Sequence, residues 1–513
     1  MKTLKNYKNY LNIQNILIIF LCLILLSRFL FLDFGLPLIQ QADEIELVEY
    51  PLNYSVNFKK LFEGDFAFFK PFSFVYGTFP TYLNTLLLIP FLKFTSTFSL
   101  SQDRYCIYLY LRVIYCLFSI ISCLGVYLVS KKLINDNLNS IIATIIFSLN
   151  INYLWLSKYL NNDNLIILFT IWFTYFYLKF KETIKIKYLY ISIFFIALGI
   201  STKITYLILL LIPFIDLVYQ KKFKELFLSI FLIAIVYLFT NPFTFIYPHE
   251  FLNRILEMRV KENGIVIDSY NTSPFKYIYS LYSNLGILVL IFGFIKIYFD
   301  CKEKKYEFTT SILLLFLIFF SLSSRLVDRW LIPIYFILII NFLIVISKIH
   351  QNLLQKILLF YILIIFSIKF VLANIELSYG DPMKNSYLDF RKNYYLPGKS
   401  IYVVTEKGLN PYISLGKKEM LYFQAPVVLY ESESAFQSFP DNPKKYDFIV
   451  FSSKVRDYYS NPYIYKLNPE YTKKWESFFE ELNVREDFDL VGFYGMPNNS
   501  ILNLEKIYIF RKK

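Results

Sequence analysis

The sequence predicts an all-α polytopic membrane protein of about eleven transmembrane helices, followed by a small C-terminal α/β extracytoplasmic domain. Three observations carry this. Apolar stretches of about 17–25 residues, the length a helix needs to cross hydrocarbon, recur along the first three quarters of the chain. The 513 residues are 56% hydrophobic and only 18% charged, a balance that ordinary soluble domains do not show. The lysines concentrate in short pieces between apolar runs, at Lys131-Lys132, Lys179 to Lys187, Lys221 to Lys224 and Lys302 to Lys305, as the positive-inside bias requires.

Lys2, Lys5 and Lys8 precede the first apolar run, 16–34, so the N-terminus is expected in the cytoplasm. That run is long for a signal peptide and lacks a small-x-small cleavage site, so it is expected to stay as a helix. Further crossings are expected at 106–129, 139–156, 163–180, 187–200, 203–219, 225–241, 276–299, 308–324, 329–347 and 356–373. Phe79 to Phe94 is short, carries Pro80 and Pro90, and would misplace Lys131-Lys132 if it crossed. It is expected to lie as an interfacial or re-entrant helix within the first outer loop, 35–105. The loops 157–162, 242–275 and 325–328, and everything from 374, then fall outside. The domains are accordingly 1–373, transmembrane, and 374–513, extracytoplasmic.

The tail carries scattered charge and short β-rich runs at Ile401 to Val404, Tyr446 to Phe451, Leu490 to Phe493 and Ile507 to Phe510. Pro469 to Leu482 has helical spacing, and Pro397-Gly398 and Asn442-Pro443 mark turns.

The net charge of +14 raises nucleic acid as a partner, but no basic stripe with interleaved aromatics supports one, so no nucleic acid is expected. Cys22, Cys106, Cys116, Cys123 and Cys301 form neither a disulfide framework nor a zinc spacing. His249 and His350 are too few for a histidine-rich metal centre.

The most informative stretch follows the first helix, where Asp43, Glu44, Glu46 and Glu49 place four carboxylates within seven residues. Should this stretch open a helix, Asp43 sits where the dipole favours an anion, with Glu46 one turn on. A carboxylate at a partly desolvated edge can serve as a general base toward a hydroxyl; the plainer reading is a capped helix with a solvated acidic face. The turn Asn161-Asn162-Asp163-Asn164 has a capping reading too, against one in which two loops frame a polar substrate or a divalent cation. Arg112 and Lys203 lie at membrane depth, where cations face a protein or water-filled interior and suit a lipid-linked phosphate. For Lys203 the competing reading is snorkelling from a short helix. Arg329, Arg254, Arg259 and Lys261 are further candidates for phosphates or headgroups.

In this order the motifs resemble the GT-C membrane glycosyltransferases, specifically glycosyltransferase family 39, the protein-mannosyltransferase and aminoarabinose-transferase-like group. The first-loop signature corresponds to Asp43-Glu44, Gly64-Asp65 and Tyr76-Gly77-Thr78-Phe79-Pro80. Arg112 with Ser119 and Gly125 resembles the Arg-containing second helix, Asn161 to Asn164 the turn before the fourth, and Gly199 to Lys203 the Gly-x-x-x-Lys step. Asn241-Pro242 and Pro248 to Phe251 resemble the long outer loop, so the likeness runs over about 10–370. Gln41-Ala42 and a lone Pro80 stand where many members carry His or Pro and a Pro-Pro pair.

The resemblance implies inverting transfer from a polyprenyl-phosphate sugar to a glycan, lipid or protein acceptor, in a cell inner (plasma) membrane, with no cofactor required and a divalent cation left open. It implies Asp43 as base or acceptor-orienting group, with Glu44 in support. Arg112 and Lys203 would stabilise the phosphate leaving group, Asp163 would shape the site or bind a cation, and Asp65 would lie on the acceptor side; Arg329 is kept as a substrate-binding candidate from its position alone. A lipid-linked glycan flippase and a non-catalytic envelope scaffold are the competing readings; the flippase predicts repeated halves with broken helices, and no repeat is present in the sequence.

Overall fold

The computed structural model describes residues 2–36, 38, 42–71, 74, 77–94, 104–262, 265–266, 273, 275–302, 308–322, 327–349, 352–395, 398–405, 412, 420–424, 428–429, 445–453, 455, 469–470, 473, 476–478, 487–495, 501–502 and 504–513. The chain divides into two compact units, one of 1–32, 43–256 and 272–371, the other of 33–42, 257–271 and 372–513.

The first unit is helical. It contains α1 (Lys2–Ser27), α2 (Ala42–Val56), α3 (Phe79–Phe94), α4 (Arg104–Ile134), α5 (Asn137–Ser148), α6 (Ile151–Leu156), α7 (Asn162–Thr183), α8 (Ile186–Thr202), α9 (Leu211–Tyr219), α10 (Phe223–Thr240), α11 (Pro242–Ile246) and most of α12 (Pro248–Glu262). It continues with α13 (Lys276–Lys302), α14 (Phe308–Leu322), α15 (Ile332–Ser347) and the greater part of α16 (Asn352–Ser378). Each of the eleven expected apolar segments contains one of these helices, and Phe79 to Phe94 is helical as expected. Among the described residues, five helices are long and apolar enough to cross a membrane, and five more apolar helices have 10–17 residues.

Three segments depart from simple rods, each for a local reason. The helix in 16–34 stops at Ser27 and gives way to turns, with Phe31 in the left-handed region, φ 58°. The carbonyls around this break are gathered by the Lys158 ammonium, which donates to the oxygens of Ser27, Arg28 and Leu30 at 3.2, 2.8 and 2.7 Å. The segment 139–156 breaks at Leu149, because Asn150 caps α6 by accepting from the Tyr153 amide at 3.1 Å. Gly286, at φ 78° and ψ 161°, kinks α13, a conformation that a side chain would strain.

The centre of the unit is α15, in which every residue from Ile332 to Leu343 is buried. Such all-round apolarity suits a helix enclosed by others, here α13, α5, α4 and α7. At the entrance to α3 the backbone is clamped. Gly77 donates to the Thr202 carbonyl at 3.0 Å, and the Thr78 amide donates to Asn241 Oδ1 at 2.7 Å. The Thr240 hydroxyl closes the junction by donating to Ser201 Oγ at 2.7 Å. The ends of α8 and α10 are thereby pinned to the start of α3.

The second unit is a small α/β domain. Its five-stranded sheet has the order β3 (Met420–Gln424), β2 (Ile401–Thr405), β5 (Phe448–Ser452), β7 (Ile507–Lys512), β6 (Phe488–Tyr494). β2 pairs in parallel with β3 and β5, whereas β7 pairs antiparallel with β5 and β6. A two-residue ladder joins β1 (Ile265–Val266) to β4 (Val428–Leu429). α17 (Pro382–Asn393) is capped by Asp381, which accepts from the Met383 and Lys384 amides, and packs Met383, Tyr387 and Phe390 onto Ile401, Val403, Val450, Ile507 and Ile509. The four strands expected from the sequence fall on β2, β5, β6 and β7, and β3 and β4 are additional. The turns at Pro397 and Asn442-Pro443, and most of the expected helix 469–482, lie outside the described residues.

A Cβ on Gly77 would sit 1.8 Å from the Ser201 carbonyl oxygen, a backbone atom that cannot swing aside. Gly77→Ala is therefore expected to destabilise the protein by about 2–3 kcal/mol, read as a lowered thermal midpoint in detergent. Gly64→Ala meets no atom within 4 Å but sits at φ 85°, so it should cost only backbone strain, about 1–2 kcal/mol.

Candidate active site

α2 opens the site. Its first turn carries Asp43 and Glu44, and the helix geometry turns these neighbours to different surroundings. Glu44 is fully buried and meets Arg112 of α4 in a two-pronged ion pair, with Nε and Nη2 donating to Oε1 and Oε2 at 2.7 Å each. The Leu160 amide adds a third bond to Oε1 at 3.0 Å, and Arg112 Nη1 donates to the Leu32 carbonyl at 2.7 Å. A planar guanidinium matched to a carboxylate in this way satisfies both charges away from water. It ties three elements together: α2, α4 and the turn leading into α7.

Asp43 faces the other way, 23% exposed. Its Oδ2 accepts from the Asn161 amide at 2.5 Å and lies 3.4 Å from Arg329 Nη2. Asn161 works from both ends, because its Oδ1 caps α7 by accepting from the Asp163 amide at 2.7 Å. The capping reading thus holds for Asn161 and leaves the Asp163 carboxylate for other partners. Those are Arg329, whose Nε donates to Oδ2 at 2.8 Å, and Lys203, whose Nζ donates to Oδ1 at 3.1 Å. Arg329 sits on a short 3-10 turn, Asp328–Leu331, just before α15; Lys203 is the C-terminal cap of α8.

The result is a row of alternating charge, Asp43, Arg329, Asp163 and Lys203, drawn from four separate elements. The Trp330 ring lies under the Lys203 ammonium, 4.6 Å from it. Asp163 is the most enclosed of the four, with 8% of its side chain exposed, while Arg329 and Lys203 keep 31% and 19%. Two cations that are held by a buried carboxylate yet reachable from outside suit a ligand phosphate better than a metal ion. The Arg329 guanidinium occupies the space between the two aspartates, and among the described residues no three His, Cys, Asp or Glu side chains form a metal-holding group.

Glu46 lies on the Asp43 side of α2, partly buried. Burial pushes its carboxyl above the ordinary carboxylate range, the Asp43 charge adds to this, and Arg254 of α12 opposes it. Of the residues expected from sequence, Asp43, Asp163, Lys203 and Arg329 come together. Glu44 and Arg112 pair behind them, so the guanidinium expected to meet phosphate faces Glu44 instead. Asp65 stands in other company, half exposed and 3.7 Å from Lys60. Tyr76 lies outside the described residues, as do the side chains of Arg259 and Lys261.

The sequence reading missed Arg28 and Lys158. Arg28 is fully buried, donates to the Ser148 carbonyl at 2.8 Å and lies over the Tyr153 ring at 4.6 Å. Its position near the end of the first apolar run was a signal that this cation is enclosed by protein.

Comparison with known proteins bears on this geometry. The dolichyl-phosphate-mannose-protein mannosyltransferase family matches residues 108–245, a segment that includes Arg112, Asp163 and Lys203. The structure of ArnT from Cupriavidus metallidurans in the apo state superposes with a TM-score of 0.51 at 10% identity, over 96% of this chain and 97% of that one. The chain has the GT-C fold. ArnT from the same organism bound to undecaprenyl phosphate superposes with a TM-score of 0.48 at 9% identity, over 96% of this chain and 97% of that one. No curated protein matches by sequence. The Glu44–Arg112 pair links α2 to α4, and Asp43 faces the charged row.

Removing one partner of the Glu44–Arg112 pair leaves a buried charge without its counter-ion. Glu44→Ala and Arg112→Ala are each expected to cost about 3–5 kcal/mol, measured by thermal unfolding in detergent. The double variant should lose clearly less than the two together.

Proposed function

We propose that the chain is a membrane glycosyltransferase that moves a sugar from a polyprenyl-phosphate donor to a lipid, glycan or protein acceptor on the non-cytoplasmic face. The observation that carries this is the Asp43 carboxylate facing Arg329, a cation that the buried Asp163 holds in position together with Lys203. A transferase of this kind needs those two functions side by side. One is a base for the acceptor, and the other is positive charge for the departing phosphate.

In the proposed reaction the acceptor O–H or N–H delivers its proton to Asp43 as the nucleophile attacks the anomeric carbon. The bond between that carbon and the phosphate oxygen breaks, and the oxygen leaves with the bonding pair. Arg329 and Lys203 turn from Asp163 toward the phosphate, where their charge counts most as negative charge develops. Asp163 keeps the two cations pre-positioned in the empty site, so little reorganisation accompanies binding. Trp330, beneath Lys203, limits the directions the ammonium can take. Attack from the face opposite the phosphate inverts the sugar configuration.

The family segment supports the lipid-phosphate class of donor, since the family's description names a dolichyl-phosphate-linked sugar. Charge distribution supports a multi-pass protein of the cell inner (plasma) membrane, with a cytoplasmic N-terminus and the C-terminal domain extracytoplasmic.

The test is transfer of label from a panel of radiolabelled polyprenyl-phosphate sugars to membrane extract by the purified protein in lipid. Wild type should transfer from at least one donor, and Asp43→Asn should lower the rate by about 10²–10⁴-fold. Lys203→Ala should raise the donor KM and lower kcat together, because its charge meets both the bound phosphate and the leaving group. Equal transfer by wild type and Asp43→Asn would remove Asp43 as the base. No transfer from any donor by folded protein would favour a flippase or scaffold.

A further inference from the structure

The turn between α6 and α7 is where the charged row meets the end of α1. Lys158, buried in this turn, gives its three N–H bonds to the carbonyl oxygens of Ser27, Arg28 and Leu30, at 3.2, 2.8 and 2.7 Å. Two residues on, the Leu160 amide donates to Glu44 Oε1 at 3.0 Å. The next residue, Asn161, donates to Asp43 Oδ2 at 2.5 Å, and its own Oδ1 accepts from the Asp163 amide at 2.7 Å. Four consecutive residues thus touch the end of α1 on one side and both first-turn acids of α2 on the other.

The company Lys158 keeps is unusual for a buried ammonium, which ordinarily stands beside a carboxylate. Among the described residues its hydrogen-bond partners are carbonyls, and its charged neighbour is another cation, Arg28. Arg28 in turn donates to the Ser148 and Tyr153 carbonyls at 2.8 and 3.3 Å and to Ser119 Oγ at 3.5 Å. α1 and α5 end at Ser27 and Ser148, so the two cations sit where helix dipoles are negative. Backbone oxygens at helix ends cannot swing aside as a carboxylate side chain can, so they hold the ammonium in one place.

We propose that Lys158 is a positioning residue for Asp43: by seating the turn on the end of α1, it sets where Asn161 meets the base. The inference rests on the transferase reading above and deepens it. Asn161 can hold Asp43 in one place only if its own backbone is held. The cap of α7 fixes it from one side, and Lys158, three residues earlier, fixes it from the other. The bond from the Asn161 amide favours the ionised form of Asp43, the form that takes the proton of the acceptor. Lys158 touches neither substrate in this scheme, and the Asp163 carboxylate holds Arg329 and Lys203 without it.

The test compares wild type, Lys158→Met, Asn161→Ala and the double variant in the transfer reaction, using the donor that wild type accepts and membrane extract as acceptor. Lys158→Met should lower kcat by about 10–10²-fold, the effect of a base displaced by about an ångström, with the donor KM unchanged. The acid limb of the kcat profile should move to higher pH, as in Asn161→Ala, because the ionised form of Asp43 loses a donor. Arg329, Glu46 and Tyr159 also face Asp43, and all three remain in these variants. The double variant should lose no more than Asn161→Ala alone, since both act through one contact. Should Lys158→Met fail to fold, Lys158→Gln, which keeps an amide donor, takes its place with the same expected readings.

A wild-type kcat and acid limb in the folded Lys158 variant would overturn the positioning role while leaving the transferase intact. Losses that multiply in the double variant, or a raised donor KM as the main effect, would overturn the route through Asn161. Absence of transfer by wild type would instead overturn the transferase reading, and this inference with it.

Discussion

A guanidinium and a carboxylate buried together must meet in good geometry or not at all, and the Arg112–Glu44 pair sets the terms for everything around it. Each charge would be prohibitive alone in an apolar interior; paired through two parallel hydrogen bonds, and completed by the Leu160 amide and the Leu32 carbonyl, they are satisfied. The pairing allows only a narrow range of positions for α2 relative to α4. Because Asp43 is the residue next to Glu44, fixing one carboxylate on the inner side of α2 also fixes the other on the outer side. The open end of the site therefore depends on a contact that never touches it.

A second constraint acts through the backbone. Asn161 spans the start of α7 and the Asp43 carboxylate, so helix capping and site assembly share one side chain. Gly77, pressed against Ser201, holds α3 to the end of α8, the helix whose cap is Lys203. Side chains that are separated by up to 286 residues in sequence thus converge because each sits at a helix end, where backbone geometry is fixed by caps and close approaches. Helix ends leave orphan donors and acceptors, and these terminal positions are also where polar side chains remain reachable from outside.

Competition among cations shapes the electrostatics of the row. Arg329 reaches both aspartates, while Lys203 meets Asp163 and rests on Trp330. The two aspartates consequently approach one another across a guanidinium, Asp163 meeting both cations and Asp43 remaining the more exposed of the two. The proposed transfer from a phosphate rests on that division, and the GT-C fold supplies the helical frame that brings the two together.

Much of this was legible in the sequence. Apolar length and the lysine clusters located the helices, because the requirement to hide backbone polar groups from hydrocarbon leaves helices as the economical solution. Lys203 was visible as a charge at membrane depth, and Asp43, Asp163 and Arg329 as charges beside apolar runs, and the ordered motifs resembled the GT-C membrane glycosyltransferases. The sequence could not determine which charges pair. Arg112 and Lys203 were both read as candidates for a lipid-linked phosphate, yet Arg112 meets Glu44 and Lys203 meets Asp163, because pairing depends on how helices distant in the chain are rotated and packed. Nor did the sequence reveal that the first apolar run ends as a helix at Ser27, a break stabilised by Lys158 from 131 residues away. Length and polarity of local segments are properties of the chain, whereas partner choice among buried charges is decided only when the tertiary structure brings one carboxylate within reach of one cation and withholds the others.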